Sequence, residues 1–438
     1  MTLAVTHATT AAPDASDDLL FRKIAWRILP VVFLCYIVAI LDRVNVGFAK
    51  LQMMSDLGLS AAAYGLGAGI FFLAYCLFEI PSNLILHRVG ARLWLARIMV
   101  TWGVITIATG FVQTASQFYL ARIALGLAEA GFYPGVVYFL SRWFPAERRG
   151  RALAAFVIAG PVGSMLVGPV AGWILASFEG SHGLHGWQWI FIITGVPALV
   201  MAAVLYYVLR DRPEDAAWLN SQEKAQLAAA MRPRVTVHET GTAGLSAVAR
   251  NWRVWVAGLG MATLYLGLYA IVFWAPSIIK AAGVTDVRTI GWLSAIPYLC
   301  ATVSTIAIGG YADRSGRYST IVSWCALLGA GGLALSVFGG PALAPTLAGV
   351  AIGAAFFTAA LPSLWALVSG LFGSARTAAA GIAMINTIAS LGSFAGPYLT
   401  GFVQDMTGSM APALAIIAVA ACAGGLLVLL LQRPAACS

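Results

Sequence analysis

The chain is poor in charge. Only 10% of its 438 residues are Asp, Glu, Lys or Arg, whereas 60% are hydrophobic and the mean hydropathy is +0.86. A soluble globular domain carries about 25% charged residues, so this composition excludes that class. The 26 basic residues outnumber the 17 acidic ones, but they are spread along the chain without forming a basic domain. We therefore expect no nucleic-acid partner.

Sequence signals of catalysis and of secretion are also lacking. The six cysteines are dispersed without CxxC spacing, so they predict neither a disulfide framework nor a metal site. Neither a phosphate-binding loop nor a nucleophile triad is present, and we therefore expect no enzyme, no ATP-driven pump, no cofactor and no metal. Residues 1–20 lack the features of a signal peptide and are interpreted as a disordered tail.

Long apolar runs, in contrast, recur twelve times. Each is about 20 residues long, the length needed to cross the hydrocarbon core of a bilayer. The sequence therefore predicts an all-α polytopic membrane protein with twelve transmembrane helices embedded in the lipid bilayer. The predicted bounds are 28–49, 64–86, 93–112, 117–139, 152–175, 189–209, 254–278, 290–311, 319–338, 345–369, 376–403 and 411–431.

Positive charge marks one side of the predicted helices. Of the 26 Lys and Arg residues, 21 lie in or beside the N-terminal tail, alternate loops and the C-terminus, two lie within helices, and Lys50, Lys280 and Arg288 lie in the other loops. By the positive-inside rule both termini are predicted to be cytoplasmic. The longest polar loop separates two halves of six helices. The predicted organisation is a cytoplasmic N-terminal tail over 1–27, a first six-helix bundle over 28–209, a cytoplasmic linker over 210–253, a second six-helix bundle over 254–431 and a cytoplasmic C-terminal tail over 432–438.

Ionisable residues inside the predicted helices are the candidate site. A charged side chain at bilayer depth costs about 2.5–3.5 kcal/mol, so it normally faces a bundle interior or a substrate path. At 1.5 Å per residue, Arg43 and Arg122 are predicted about 8–11 Å below the outer ends of their helices, and Glu129 about 18 Å below. Two arginines would then share one level above a carboxylate, and Glu79 would extend a proton path toward the cytoplasm. The alternative is that these charges only join neighbouring helices or, for Glu79, anchor a helix end.

The two halves look like duplicates. The loop after helix 8 reads GGYADRSGR from Gly309 to Arg317, and the loop after helix 2 reads NLILHRVGAR from Asn83 to Arg92 with the same spacing. On a plan of six plus six helices, this loop resembles the signature of the major facilitator superfamily. The strings DRVNVGFA, EIPSN, EAGFYPG and WFP resemble its anion:cation symporter family, and tartrate-type members in particular. The resemblance covers essentially the whole chain.

The resemblance implies the major facilitator fold, with two pseudo-symmetric six-helix bundles, and a role for each intramembrane charge. Arg43 would contact the substrate carboxylate, and Asp42 and Glu129 would take part in proton coupling. Arg122 would tune the site or bind the anion. Two arginines suit an anion because a guanidinium can grip a carboxylate with two parallel hydrogen bonds.

Aromatic and amide side chains near the midplane are further candidates for substrate contact. Most aromatics in such a chain pack or face lipid, so each has a purely structural alternative. The four candidates are Tyr75, Tyr265, Tyr269 and Asn386. Of these, Tyr75 and Asn386 match positions that contact sugar acids in relatives.

Charged residues of the two signature loops are predicted to latch the cytoplasmic helix ends together while the protein faces outward. They are Asp313, Arg314, Arg317, Arg88 and Arg92.

The predicted function is a secondary transporter of the bacterial inner membrane, working as a monomer. It would import a small organic anion with protons, because the interior-negative potential opposes anion uptake by about 2.3 kcal/mol per charge per 100 mV. A tartrate-like hydroxy-dicarboxylate is favoured, followed by sugar acids and aromatic carboxylates. The alternatives are a proton-driven exporter or exchanger, which glycine-proline pairs on helix 5 suggest, and a membrane sensor that binds the anion without moving it.

Overall fold

The computed structural model describes residues 15–231, 245–340, 342–372 and 375–432, and within these ranges the chain is helical without a strand. Short 3-10 helices cover Ser181–Gly183, Pro213–Asp215 and Leu429–Leu431. The α-helices α1 to α17 run over Ala15–Val44, Val46–Asp56, Ala61–Val89, Ala91–Thr109, Ala115–Glu129, Phe132–Ser141, Ala146–Val157, Ala159–Ser177, Gly186–Val208, Ser221–Ala230, Leu245–Arg250, Trp252–Ala281, Val287–Ser315, Tyr318–Phe338, Leu343–Ser369, Ala375–Thr407 and Ala411–Val428.

The described residues contain twelve spans that are long and apolar enough to cross a membrane, which confirms the predicted number. Three spans consist of two helices each: α1 and α2 form span 1, α5 and α6 form span 4, and α7 and α8 form span 5. Helices α3, α4 and α9 are spans 2, 3 and 6, and α12 to α17 are spans 7 to 12. The predicted all-α polytopic class is confirmed. Helices α10 and α11 lie in the linker between spans 6 and 7.

Span 1 is longer than predicted at both ends. Helix α1 begins at Ala15, about four turns before the predicted start, and α2 continues to Asp56, about two turns past the predicted end. The interpretation of residues 1–20 as a disordered tail is wrong for residues 15–20, which are helical. The polar start of α1 packs on the linker, where Lys23 Nζ lies 2.7 Å from Glu223 Oε1. Lys50, predicted to lie in a loop, is inside α2 and buried.

Some predictions fall outside the described residues. They concern the N-terminal tail before residue 15, the middle of the linker over 232–244, and the last six residues of the C-terminal tail.

The two halves touch most extensively along two pairs of spans. Span 2 packs against span 11, and span 5 packs against span 8. Glycines allow the backbones to come this close. A Cβ on Gly401 would lie 2.0 Å from the carbonyl oxygen of Ala61, and a Cβ on Gly168 would lie 2.3 Å from that of Gly291. No side chain fits at these positions unless the halves move apart.

The halves are joined on the membrane face opposite the linker, which we call the far face; the other is the linker face. At the far face, the Asp405 carboxylate of span 11 accepts hydrogen bonds from the backbone N–H groups of Ala61 and Ala62, at 2.9 and 2.7 Å. These N–H groups belong to the first turn of span 2, and the N-terminus of a helix favours negative charge. Arg288 of span 8 donates to the Ser177 hydroxyl of span 5 at 3.3 Å. These contacts close the far face.

Toward the linker face the halves separate. Near mid-depth, the Cys76 thiol of span 2 lies 3.7 Å from Thr387 Oγ1 of span 11. Ile80 and Leu84 lie on the same face of span 2, one and two turns further along, and they are 62% and 60% exposed. The stripe of span 2 that touches span 11 on the far side is thus uncovered on the linker side. The space between the halves therefore opens toward the linker face.

Candidate functional site

The centre of the candidate site is an ion pair between spans 1 and 4. The Arg43 guanidinium Nη2 contacts the Glu129 carboxylate Oε1 directly. The Arg43 side chain is 18% exposed, whereas that of Glu129 is 2% exposed. Arg43 Nε and Glu129 Oε2 are buried without a hydrogen-bond partner among the described residues. Arg43 Nε is therefore a spare donor and Glu129 Oε2 a spare acceptor, and the pair can be reached through Arg43.

This ion pair corrects the predicted depths. Arg43 lies about 20 Å from the far-face end of span 1 at Asp56, and Glu129 lies about 21 Å from the start of span 4 at Ala115. Arg122 is about 10 Å nearer the far face. The prediction that the two arginines share one level above the glutamate is wrong, because span 1 extends seven residues beyond its predicted end. Arg43 is instead level with Glu129.

A break in span 4 directly follows Glu129. Helix α5 ends there, and Gly131 adopts φ +88°, a conformation that L side chains rarely adopt. The Ser82 hydroxyl of span 2 donates to the Ala130 carbonyl at 2.6 Å, and a Cβ on Gly131 would lie 2.3 Å from that hydroxyl oxygen. Glu129 thus stands at a helix C-terminus, where the macrodipole disfavours negative charge. Its contact with Arg43 compensates for this.

Aromatic rings approach Arg43 from both halves. Its guanidinium carbon is 5.4 Å from the ring centroids of both Tyr75 and Phe71 on span 2. From span 7, Tyr269 lies within electrostatic reach of Arg43, and its ring centroid is 5.7 Å from that of Tyr265. The structure therefore brings three predicted residues together around Arg43. Phe71 carries no sequence signal, because phenylalanine is common in every apolar helix of this chain.

Asp42 points away from Arg43 into the first half. Its carboxylate accepts hydrogen bonds from the Thr106 hydroxyl of span 3 at 2.6 Å and from the Asn45 amide at 3.3 Å. The same amide donates to the Thr194 hydroxyl of span 6 at 2.8 Å. The network is buried and joins spans 1, 3 and 6. Neither threonine is recognisable in the sequence, because a single hydroxyl barely changes the hydropathy of a helix.

Arg122 is fully buried against the backbone of span 2. Its Nε donates to the carbonyl of Gly67 at 3.3 Å, and its Nη2 donates to that of Ala68 at 3.4 Å. Its guanidinium carbon is 4.9 Å from the ring centroid of Phe71, which also contacts Arg43. The guanidinium therefore lies behind this ring and adds positive charge near the ion pair without reaching the space between the halves.

The two remaining candidates lie on the linker side of the far-face contacts. Glu79 is half-buried on span 2, one turn beyond Tyr75, and its backbone carbonyl accepts a hydrogen bond from the Asn83 amide at 2.9 Å. Asn386 is half-buried on span 11, next to the Thr387 that contacts span 2. Both residues therefore lie just on the linker side of the Cys76–Thr387 contact between spans 2 and 11.

The predicted latch residues stand apart across the open linker face. The Asp313 carboxylate accepts a hydrogen bond from Tyr318 of its own half at 3.3 Å. Arg92 Nε donates to the Tyr206 carbonyl at 2.6 Å, also within its own half. A latch that acts when the linker face is closed is expected to be apart here, and its role stays a prediction. The other three residues are exposed: Arg88, Arg314 and Arg317.

An apolar cavity of about 580 Å³ opens beside the linker-face end of span 1. Arg22, Trp26 and Phe33 of span 1 line it together with Ala155 and Ile158 of span 5. It contains none of the predicted site residues. With one charged residue in an otherwise apolar wall, it is a poorer site for an anion than the Arg43–Glu129 pair.

Comparison with known proteins agrees with this architecture. The sequence profile of the Major Facilitator Superfamily matches residues 32–288. The chain is 41% identical to NicT of Pseudomonas putida, which bears the provisional name of a metabolite transport protein, over 95% of each chain. It is also 41% identical to a protein of Agrobacterium vitis provisionally named a tartrate transporter, over 94% of this chain and 91% of the relative. A quinolone resistance transporter of Acinetobacter baumannii is 37% identical over 93% of each chain.

The fold is also that of solved transporters. A bacterial homologue of the human lysosomal transporter Spinster, solved in an inward-facing and occupied conformation, matches with a TM-score of 0.69 and 16% identity, over 94% of this chain and 95% of that one. At this identity the likeness shows the fold alone. The twelve apolar spans identify an integral membrane protein. With the profile covering more than half of its length and relatives at 41% identity, the chain belongs to the major facilitator superfamily.

Proposed function

We propose that this protein imports small organic carboxylates together with protons, by alternating access, in the bacterial inner membrane. The observation that carries the proposal is the Arg43–Glu129 ion pair, partly exposed at the level where the contacts between the halves end. By the positive-inside rule the linker face is cytoplasmic and the far face is external. The protein acts as a monomer, since each chain contains a complete pair of halves.

Substrate and proton act on the same ion pair. A carboxylate is gripped best by two parallel hydrogen bonds from one guanidinium. Arg43 has Nε free, but its Nη2 is held by Glu129. A proton on Glu129 removes the charge that holds Nη2 and releases it to the substrate. Proton and substrate therefore favour each other's binding, which is the requirement for symport.

The neighbouring residues support this exchange. Glu79, half-buried on the linker side of the pair, passes the proton toward the cytoplasm. Arg122 raises the positive potential from behind Phe71. Asp42 affects coupling through the position of span 1, because its carboxylate binds span 3. The tyrosines around Arg43 bind the substrate's hydroxyl groups, and Asn386 contributes from the second half.

The two halves rock around this site, as in other transporters built from repeated halves. In the described state the far face is closed through Asp405 and the linker face is open. Reversal of this state breaks the Asp405 contacts. It brings the linker-face ends of the spans together, where Asp313, Arg314 and Arg317 form the latch.

The substrate class follows from charge and from the relatives. Uptake of a dicarboxylate against the interior-negative potential costs about 4.6 kcal/mol at 100 mV, so it gains from that potential only when more than two protons accompany it. A tartrate-like hydroxy-dicarboxylate is the leading substrate because a relative at 41% identity bears that name. Sugar acids and aromatic carboxylates follow.

A proton-driven exporter is the second candidate function. The relative named as a quinolone resistance transporter favours it. An exporter of cationic drugs fits less well with Arg43 at the centre of the site, because the guanidinium repels a cation. A membrane sensor is disfavoured because the described part of the linker holds two short α-helices, α10 and α11, and one 3-10 turn, which are small for an output domain.

A ligand screen by thermal shift tests the substrate class. A ligand that binds only the native state stabilises it by about 2.7 kcal/mol at a hundredfold excess over its Kd. Tartrate-like acids are expected to raise the melting temperature of the wild type and not that of Arg43→Ala. The control is Arg142→Ala, which removes an exposed arginine at the linker face and should respond like the wild type. Shifts only with cationic compounds would favour the exporter.

A further inference from the structure

Lys50 is a buried cation that the proposed mechanism does not use. It lies in α2, about 10 Å nearer the far face than Arg43, and its residue exposure is 2%. The ammonium has no hydrogen-bond partner among the described residues. It lies 3.3 Å from the ring centroid of Trp274 and 4.8 Å from that of Tyr64. The Lys50 ammonium is therefore held by the faces of two aromatic rings.

This arrangement does not favour closure of the far face. Attraction to aromatic faces offsets only part of the cost of removing an unpaired ammonium from water. An apolar side chain of similar length, such as methionine, would pack between Trp274 and Tyr64 without that cost. The charge of Lys50 is thus unfavourable in the closed state, and its use must be sought in another state of the transport cycle.

The opening of the far face exposes this charge. Lys50 and Tyr64 belong to the first half, whereas Trp274 belongs to span 7 of the second half. Trp274 Nε1 donates to the Pro397 carbonyl of span 11 at 3.2 Å, so its indole is fixed to its own half. When the halves part at the far face, the indole leaves with the second half. The ammonium of Lys50 then borders the external opening.

Lys50 is also aligned with the central site. It is seven residues from Arg43, and this spacing places both side chains on one face of span 1. Between them the halves meet through aromatic rings: the Phe72 centroid is 4.4 Å from that of Tyr269 and 6.0 Å from that of Phe273. These rings separate the two cations in the closed state. An anion that enters from the far face would pass Lys50 before it reaches Arg43.

We infer that Lys50 is a second anion-binding residue, available only while the far face is open, and that it binds the substrate's carboxylate before Arg43 does. This inference rests on the proposed function and extends it to the path of the substrate. The two cations are about 10.5 Å apart along span 1, too far for one small dicarboxylate to bridge. The contacts are therefore successive, and Trp274 and Tyr64 hold the ammonium while the far face is closed.

The test compares KM on the two membrane faces, in proteoliposomes of known orientation with radiolabelled tartrate. Lys50→Met should raise the influx KM about tenfold, because one charge-assisted hydrogen bond to the anion is lost. It should lower the efflux KM by a smaller factor, because loss of the buried charge favours the closed far face. Lys50→Arg keeps the charge and should restore most of the influx KM. Lys280→Met, which removes an exposed lysine from the far-face end of span 7, controls for diffuse electrostatics and should change neither KM.

Each other outcome overturns the inference. An influx KM unchanged in Lys50→Met shows that the lysine does not meet the anion. Influx and efflux KM values that move by equal factors in opposite directions show that it only biases the conformational equilibrium. Equal changes in Lys280→Met show a diffuse effect of charge. If Lys50→Met does not fold, Lys50→Gln replaces it in the same comparison. A wild type that transports no organic acid contradicts the proposed function itself, so the two failures are distinguishable.

Discussion

Replacement of Glu129 by glutamine should tighten substrate binding and abolish its coupling to protons. The contact with Arg43 joins two charged groups. Hydrogen bonds to a charged group contribute about 1.5–3 kcal/mol net, and we assign the ion pair to the upper end of this range and the amide–guanidinium bond of the variant to the lower end. In our account the substrate must break this contact to bind. The variant lowers that cost by about 1.5 kcal/mol, which corresponds to a Kd about twelvefold lower.

The assay is titration calorimetry of the purified protein at two pH values, together with transport in proteoliposomes. The wild type should bind more weakly as pH rises, because deprotonated Glu129 competes with the substrate for Arg43. The Kd of Glu129→Gln should be the same at both values. Counterflow of label should persist in the variant, whereas accumulation driven by a pH gradient should cease. Glu79→Gln is the matched control, and its Kd should retain the pH dependence of the wild type.

The opposite result would refute this reasoning. If Glu129→Gln folds normally but loses binding and counterflow, as Arg43→Ala is expected to do, then Glu129 holds the substrate or its arginine in place and does not compete for it. A Kd that still weakens with pH in the variant would assign the titrating group to another residue.

Three further variants test the surroundings of the site. Asp42→Asn should lower the stability by about 1–3 kcal/mol, measured as the midpoint of thermal unfolding, because an amide cannot accept both hydrogen bonds that the carboxylate accepts; an unchanged midpoint would contradict this. Asp405→Asn should weaken the far-face closure by about 0.3–1 kcal/mol and shift the population toward the far-face-open state by up to about fivefold, measured as distances between spin labels on the two halves. Gly401→Ala places a Cβ 2.0 Å from the Ala61 carbonyl oxygen and should open the far face in most molecules; labels that remain at the closed distance would count against the description of this contact.

The twelve spans could be predicted from the sequence because few kinds of segment can cross a lipid bilayer. A segment that crosses the bilayer needs about 20 apolar residues, and its backbone hydrogen bonds must be satisfied within the helix. The ends of the spans were harder to predict from the sequence. The polar residues at both ends of span 1 are helical because they pack on other parts of the protein, as Lys23 does on Glu223. Hydropathy cannot detect such contacts.

The composition of the candidate site was predictable, but its geometry was not. Arg43 and Glu129 could be identified because they are ionisable residues within apolar runs. Their pairing depends on the true end of span 1, which lies beyond a lysine that hydropathy assigns to a loop. The break at Gly131 has a local signal, a glycine followed three residues later by Pro134, because both residues are unfavourable inside a helix.

The burial of Lys50 could not be foreseen from local sequence. It depends on Trp274, which is 224 residues away along the chain and belongs to the other half. A lysine at the end of an apolar run is ordinarily assigned to the membrane surface. Only the packing of spans 1, 2 and 7 against one another places its ammonium between two rings.

The most direct test of the central claim is uptake of labelled tartrate into proteoliposomes that are acidic outside and alkaline inside. The account predicts transient accumulation above the external concentration, which a protonophore abolishes and which is absent in Arg43→Ala. Uptake that only equilibrates and ignores the protonophore, or accumulation that persists in Arg43→Ala, would contradict proton-coupled transport through the Arg43–Glu129 pair.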